Sequence, residues 1–128
     1  CDLALDLANN GHKVTIVEAL DDIMSSGIPA PYPNGQMMKD LLADRKVTVL
    51  TAHKLTEVTD EGVRVQHDGE IQDIKADTVI SALGFKPRTS LKDEFADCGA
   101  PIYEVGDAKG AATIMNAIWE GYFLANSL

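Results

Sequence analysis

The sequence predicts an α/β fold in which parallel strands joined by a helix carry an antiparallel meander of three strands. Short apolar runs rich in β-branched residues, at 14–17 and 47–50, are typical of strands buried in a parallel sheet. Between them, residues 35–45 repeat apolar side chains at helical spacing, which completes a strand–helix–strand crossover. Three short alternating runs follow, with hairpin-type turn signals between them. These runs predict the meander.

The other predicted elements follow from local pattern. Helix formers at 2–9 end at the stop signal Asn10-Gly11, and three prolines with two glycines predict a loop over 25–35. The meander strands are expected at 55–59, 62–67 and 70–75, further strands at 77–82 and 102–105, a weak helix at 91–96 and a final helix at 111–125.

Composition bounds the class of protein. A chain of 128 residues is long enough for one compact unit with a core. The net charge of −9, with no cluster of Lys and Arg, argues against nucleic acid and against an anionic membrane surface as partners. No apolar run approaches the roughly 20 residues of a membrane span. Cys1 and Cys98 form no CxxC pair, which fits a cytoplasmic protein best and predicts no metal site.

Glu18 is the strongest candidate for a binding residue. Gly11 leads into the strand at 14–17, and Glu18 follows that strand. In a Rossmann unit, a strand runs into a glycine-rich turn whose helix amides hold pyrophosphate, and an acid about 20 positions on binds the ribose. This chain has the acid but no glycine turn, and Cys1 stands where the residue just after the last of those glycines is expected. We therefore expect a Rossmann-like fragment that lacks its first strand and glycine-rich turn.

The acid also predicts which dinucleotide is bound. A carboxylate accepts hydrogen bonds from both ribose hydroxyls of the adenosine and repels the extra phosphate of NADP. Ala19 and Leu20 follow Glu18, and no Arg is present there to bind a 2′-phosphate. NAD(H) is therefore favoured over NADP(H). The competing interpretation is a charged strand end that faces water.

The order of the elements resembles the pyridine-nucleotide-dependent flavoprotein reductases, the two-dinucleotide-binding-domain flavoproteins, in which an NAD domain is inserted into an FAD domain. The markers are the strand before Glu18, the meander, the loop at 81–87 (SALGFKP) and Val105-Gly106-Asp107 before the last helix. The amino-acid sequence at 11–18, 82–89 and 114–121 is most similar to the C-terminal part of bacterial NADH:flavin oxidoreductases of the 2-enoate reductase and 2,4-dienoyl-CoA reductase type.

The resemblance implies domains and cofactors. Residues 1–98 would be an N-terminally truncated NAD(H)-binding domain, and residues 99–128 the returning strand and helix of the FAD domain. In the parent enzyme, NADH would reduce FAD, and electrons would pass through a four-iron four-sulfur cluster to FMN, which reduces an activated carbon–carbon double bond. FMN and the cluster would lie outside this chain. We expect the isolated chain to hold no cofactor, to be inactive and to need no catalytic acid or base.

The resemblance also assigns cofactor-binding residues in the loop at 81–87. Ala82, Gly84 and Pro87 match the family loop that follows a buried strand. Gly84 lacks a side chain, which would let the backbone approach the cofactor, and Pro87 would stiffen the exit from the loop. The alternative for Gly84 is an ordinary turn glycine.

A second group of assigned residues precedes the last helix. Gly106 and Asp107 resemble the family pair whose aspartate hydrogen-bonds the ribityl chain of FAD. The helix start, with Thr113, Ile114 and Met115, would point its amides at the carbonyl end of the flavin. The alternative role for Asp107 is that of a helix cap.

The remaining candidates carry less weight. His12, His53 and His67 have no metal-ligand spacing and are predicted surface residues, while Trp119 is predicted to pack in a helix. Two other functions stay open, a non-catalytic nucleotide-sensing Rossmann domain and a structural ADP-binding domain, although the meander and Gly106-Asp107 argue against the first. The edge of the strand at 14–17 lacks its former neighbour, which predicts self-association or cover by a rearranged segment.

Overall fold

A computed structural model describes residues 1–25, 31–87 and 90–128 of the chain. They divide into two compact units, Cys1–Ile80 and Ser81–Leu128, called here the first and the second unit. These units are defined by packing. The division into residues 1–98 and 99–128, which follows from expected ligand binding, stays a prediction.

The parallel crossover lies in the first unit. Helix α1 spans Asp2–Asn9, strand β1 Thr15–Val17, helix α2 Tyr32–Asp44 and strand β2 Thr48–Leu50. Strands β1 and β2 pair in parallel, with Thr15 opposite Thr48 and Val17 opposite Leu50. The predicted strand–helix–strand unit is thus confirmed.

Helix α2 begins earlier than the sequence predicts. Residues 32–35 were expected in a loop, but they form the first turn of α2 after Pro31. A proline is tolerated in the first helical turn, because the N–H that it lacks has no intrahelical partner there. Pro33 therefore belongs to the helix. Of the loop predicted over 25–35, residues 26–30 are not among the described residues. Of its described residues, Ser25 and Pro31 lie outside regular structure.

The meander consists of strands β3 (Lys54–Thr59), β4 (Gly62–His67) and β5 (Glu70–Lys75), paired antiparallel in chain order with a bulge between Leu55 and Glu57. Asp68 and Gly69 connect β4 to β5 with positive φ angles of 48° and 85°, as a two-residue hairpin turn of type I′ requires. Both predicted hairpins are confirmed.

The core of the first unit is small. Ile23, Leu42 and Val47 form a buried cluster, and Val63 and Val65 on β4 are buried as well. Partly buried side chains from α1, α2, β1, β2 and the segments on either side of β1 pack against the cluster: Ala4, Leu5, Ala8, Val14, Ile16, Met24, Met38 and Val49. Burial of these apolar side chains holds the two helices against the parallel pair.

Two predicted strands do not form. Residues 77–82 and 102–105 have no ladder hydrogen bonds, and the Val79 and Ile80 side chains are 41% and 52% exposed. In the Rossmann strand order 3-2-1-4, the fourth strand pairs with the first strand. β1 and β2 correspond to the second and third strands of that order, and 77–82 corresponds to the fourth. No segment among the described residues lies beside 77–82 in that place. An extended apolar run without a hydrogen-bonding neighbour is not a strand, which corrects both predictions.

The free edge of β1 follows from the same arrangement. Among the described residues β1 pairs with β2 alone, so its other edge is not covered by a rearranged segment of this chain. Pairing of that edge with a second copy stays a prediction.

The second unit contains helix α3 (Ser90–Glu94), a 3₁₀ helix at Gly106–Ala108 and helix α4 (Ile114–Ser127). Both predicted helices are present, and α4 begins three residues later than the expected start at 111. A capping box sets that start, since the Thr113 hydroxyl accepts from the Asn116 N–H at 3.3 Å and the Asn116 side chain accepts from the Thr113 N–H at 3.3 Å.

Candidate functional site

The backbone of Glu18 prolongs the parallel pair beyond β1. Its N–H donates to the Leu50 carbonyl at 2.9 Å, and its carbonyl accepts from the His53 N–H at 2.9 Å. The Ala52 N–H donates to the Leu20 carbonyl at 2.8 Å. Three backbone hydrogen bonds therefore join the segment after β1 to the last residue of β2 and to the segment that follows β2. Glu18 lies at the carboxyl ends of the parallel strands, where ligands bind in open α/β sheets.

The Glu18 carboxylate is half-buried and partly engaged. Its Oε1 accepts from the Leu20 N–H at 2.9 Å, which orients the side chain. Within the described ranges, Oε2 has no hydrogen-bond partner in the chain. A carboxylate oriented by the backbone with one oxygen open suits recognition of vicinal hydroxyl groups, as a nucleotide ribose offers.

Two histidines stack beside Glu18, an arrangement that sequence reasoning missed. The rings of His53 and His67 are parallel within 2°, with centroids 4.2 Å apart. The Nδ1 atoms lie 2.5 Å from the Thr51 carbonyl oxygen and 2.9 Å from the Ala52 carbonyl oxygen, respectively, so each Nδ1 carries the proton that it donates. Both side chains are half-buried, which corrects their prediction as surface residues; His12 is exposed as predicted.

The loop at 81–87 lies in the second unit, and its residues are exposed. Gly84 has φ +85°, a left-handed conformation that side-chain-bearing residues rarely adopt, and a Cβ there would meet open space. The backbone conformation therefore requires glycine, and its openness leaves room for a ligand. The cofactor-binding roles of Ala82, Gly84 and Pro87 stay predictions.

Asp107 stands in the 3₁₀ helix with an exposed carboxylate. Its Oδ1 accepts from the Ala112 N–H at 3.5 Å, a long contact, whereas the α4 N-cap is Thr113. Asp107 therefore does not cap α4, which removes the alternative role considered for it. An exposed carboxylate with spare acceptor capacity fits the hydroxyl groups of a sugar-like chain.

The first turn of α4 offers unpaired donors. The N–H groups of Ile114 and Met115 are among those that an α-helix leaves without intrahelical acceptors, while the Asn116 N–H is taken by the Thr113 hydroxyl. Such amides favour an electron-rich group. The donor set of this turn and the Asp107 carboxylate together fit the carbonyl end and the hydroxylated chain of a flavin.

Helix α4 exposes most of its apolar side chains. Trp119 was predicted to pack, but its side chain is exposed and contacts Phe123 with ring centroids 5.4 Å apart. The other large exposed apolar residues of the helix and its end are Ile114, Met115, Ile118, Tyr122, Phe123 and Leu128. Their packing partners are not supplied by the described residues of this unit.

Two ionisable groups have shifted pKa values, and neither belongs to a candidate site residue. A hydrogen bond from Lys39 lowers the pKa of Asp22, and hydrogen bonding to Asp73, with the charge of Glu57, raises the pKa of Arg64. In the part of the chain that the structure describes, no group of three or more His, Cys, Asp or Glu residues could hold a metal ion. Nor does any described helix have the length and apolar character to cross a membrane.

Comparison with known proteins agrees with the fold. The chain is 34% identical over 128 residues to cinnamate reductase of Clostridium sporogenes and 32% identical over 127 residues to NADH oxidase of Thermoanaerobacter brockii. It spans 19% of the length of each of these relatives. Among solved structures, 2-naphthoyl-CoA reductase matches 93% of the chain with a TM-score of 0.76 and 26% identity, and the chain covers 18% of it.

A further solved structure and a family model extend the match to the family level. An FAD-dependent pyridine nucleotide-disulphide oxidoreductase from Desulfovibrio vulgaris is 30% identical, matches 79% of the chain with a TM-score of 0.52, and is covered to 25%. The family model for pyridine nucleotide-disulphide oxidoreductases matches residues 1–121. The predicted fold class and family resemblance are thus confirmed, and the chain belongs to the pyridine nucleotide-disulphide oxidoreductase family.

Proposed function

We propose that this chain is the NAD(H)-binding part of a larger, cytoplasmic, flavin-dependent NADH oxidoreductase, with residues 99–128 returning to the FAD domain. The observation that carries the proposal is Glu18, held by backbone hydrogen bonds at the carboxyl ends of β1 and β2 with Oε2 open. A dinucleotide ribose is the ligand that this position serves in Rossmann-like folds.

The names of the relatives support a reductive role for the parent enzyme. One is a cinnamate reductase and another a 2-naphthoyl-CoA reductase. Cinnamate is a conjugated enoate, which agrees with a parent that reduces an activated carbon–carbon double bond. FMN and a four-iron four-sulfur cluster of the parent enzyme would be held by residues outside this chain.

The residues of this chain would bind and orient the cofactors. Glu18 would accept hydrogen bonds from the adenosine ribose, while Asp107 and the first amides of α4 would hold FAD. When bound, FAD supplies the acceptor for the hydride of NADH. Correct placement of the donor and acceptor is the contribution of the protein, so no acid or base of this chain is required.

Replacement of Glu18 in the full-length enzyme tests the proposal. Glu18→Ala should weaken the use of NADH, and Glu18→Arg should in addition favour NADPH, because the charge at the ribose is reversed. The preference for NADH, measured as the ratio of kcat/KM for the two cofactors, should narrow by about 1–3 kcal/mol, the range of a hydrogen bond to a charged group.

Glu70→Ala is the matched control, since Glu70 is an exposed acid at the start of β5 and should leave the ratio unchanged. An unchanged ratio in both Glu18 variants would contradict the assignment. Anaerobic addition of NADH to the full-length enzyme separates this proposal from a nucleotide sensor or a structural ADP site. Bleaching of bound FAD supports the oxidoreductase, whereas retention of its visible absorption supports one of the alternatives.

A further inference from the structure

We infer that Glu120 is a positioning residue for the FAD site: its carboxylate on α4 holds the Gly106 turn, and the turn sets the place of Asp107. The inference rests on the proposed function and names a residue beyond those assigned to the cofactor. Glu120 would not touch the flavin itself.

The first observation is a hydrogen bond that links two elements of the second unit. The Gly106 N–H donates to Glu120 Oε2 at 2.8 Å, across 14 residues of sequence. Glu120 is half-buried, and the Lys109 ammonium lies 4.0 Å from its other oxygen. A hydrogen bond from a backbone amide to a carboxylate is charge-assisted and stronger than one to a neutral acceptor.

The second observation is close packing at the same turn. Gly106 has φ +61°, and a Cβ at this position would lie 3.1 Å from the Cβ of Ala117. Ala117 and Glu120 are three residues apart and therefore share one face of α4. That face contacts Gly106 in two ways, through the methyl group of Ala117 and the carboxylate of Glu120, and so fixes the turn against the helix.

The two contacts set the geometry of the flavin-binding groups. Asp107 follows Gly106 directly, and its carboxylate is the expected partner of the ribityl hydroxyls. The amides of Ile114 and Met115 at the start of α4 are the expected donors to the flavin carbonyl end. Glu120 links the turn that carries Asp107 to the helix that carries the amides. Loss of this hydrogen bond should therefore misplace Asp107 relative to the amides.

Affinity for FAD in the full-length enzyme tests the inference. Glu120→Ala should raise the dissociation constant for FAD roughly tenfold or more and shift the visible band of the bound flavin, because the turn loses its charge-assisted hydrogen bond. Glu120→Gln keeps an acceptor oxygen and should restore most of the affinity. Asp97→Ala removes an exposed acid of the same unit and should change neither readout.

A double-mutant cycle with Asp107→Ala excludes a general loss of stability. If Glu120 acts through Asp107, Glu120→Ala should weaken FAD binding little further once Asp107 is replaced. Additive losses in the double variant, or wild-type affinity and spectrum in Glu120→Ala, would overturn the inference. Where Glu120→Ala does not fold, the cycle is measured with Glu120→Gln, and its smaller loss must also vanish in the Asp107→Ala background.

Failure of the inference is distinguishable from failure of the proposed function. The proposed function, and the inference with it, would be refuted if the full-length wild-type protein binds no added FAD and releases none when it is denatured. Weakened FAD binding in Asp107→Ala together with unchanged binding in Glu120→Ala would refute the positioning role alone.

Discussion

The meander and the segment at 77–82 have similar residues, but only the meander forms strands. Both are rich in β-branched and apolar side chains, yet β3, β4 and β5 form a complete sheet and 77–82 remains without ladder hydrogen bonds. Hairpin turns bring each meander strand its neighbour within a few residues, whereas a Rossmann strand depends on a neighbour distant in sequence. Strand propensity thus yields a strand only where a partner edge is available.

Burial shows the same difference between the two units. The buried apolar side chains among the described residues, Ile23, Leu42, Val47, Val63 and Val65, all lie in the first unit. In the second unit, α4 carries side chains such as Ile114, which is 82% exposed. The first unit therefore supplies its own core, while burial of the apolar side chains of α4 requires a further surface.

Truncation of a core residue should show this difference most strongly. Leu42 is 1% exposed and packs with Ile23 and Val47. Leu42→Ala should lower the free energy of unfolding of the first unit by about 2–5 kcal/mol, because it leaves a cavity. Leu128→Ala, at an exposed position of the second unit, should change it by less than about 0.5 kcal/mol. Urea titration followed by circular dichroism measures both, and equal effects would contradict the comparison.

A backbone clash in the meander should have the next largest effect. A Cβ at Gly62 would lie 2.1 Å from the Ile74 carbonyl oxygen, whereas one at Gly69 would meet open space. Both glycines have positive φ angles, so Gly69→Ala serves as the control for backbone strain. Gly62→Ala should cost about 1–3 kcal/mol more than Gly69→Ala, because β4 and β5 must separate locally. Similar unfolding midpoints for the two variants would show that the meander absorbs the clash.

The smallest effect is expected at an exposed ion pair of the first unit. Lys39 lowers the pKa of Asp22 below its ordinary value of 3.8. The ionised pair therefore stabilises the folded state above that value, and its contribution is lost as the pH falls through the lowered pKa. Asp22→Asn should reduce stability slightly at neutral pH, and no difference from wild type should remain at an acidic pH below the lowered pKa, because a protonated Asp22 is uncharged like the Asn side chain. An equal loss at both pH values would point to packing rather than charge.

Local elements were predictable from the sequence, and elements that depend on distant partners were not. The bounds of α1 and of β4 and β5 follow from stop and turn signals only a few residues away. The start of α2 differs from the prediction because proline signals a loop in the sequence and yet also fits the first turn of a helix. The strands predicted at 77–82 and 102–105 do not form, because a sequence pattern does not show whether a neighbouring edge is present.

The candidate site divides in the same way. Glu18 was predictable, because its position follows directly from the end of a strand in a known unit. The stack of His53 on His67 and the hydrogen bond from Gly106 to Glu120 join residues that are distant in sequence and share no periodic pattern. Such contacts arise from the tertiary arrangement, and only the folded chain brings them together.

The stacked histidines provide a natural spectroscopic probe of the proposed nucleotide site. Each imidazole lies in the ring current of the other, so its carbon-bound protons should resonate upfield of their usual positions in a proton NMR spectrum. The backbone N–H of His53 also donates to the backbone carbonyl of Glu18, so one ring of the pair belongs to a residue bonded to the proposed ribose-binding residue. The two histidine resonances are therefore expected to report dinucleotide binding at Glu18 without an added label.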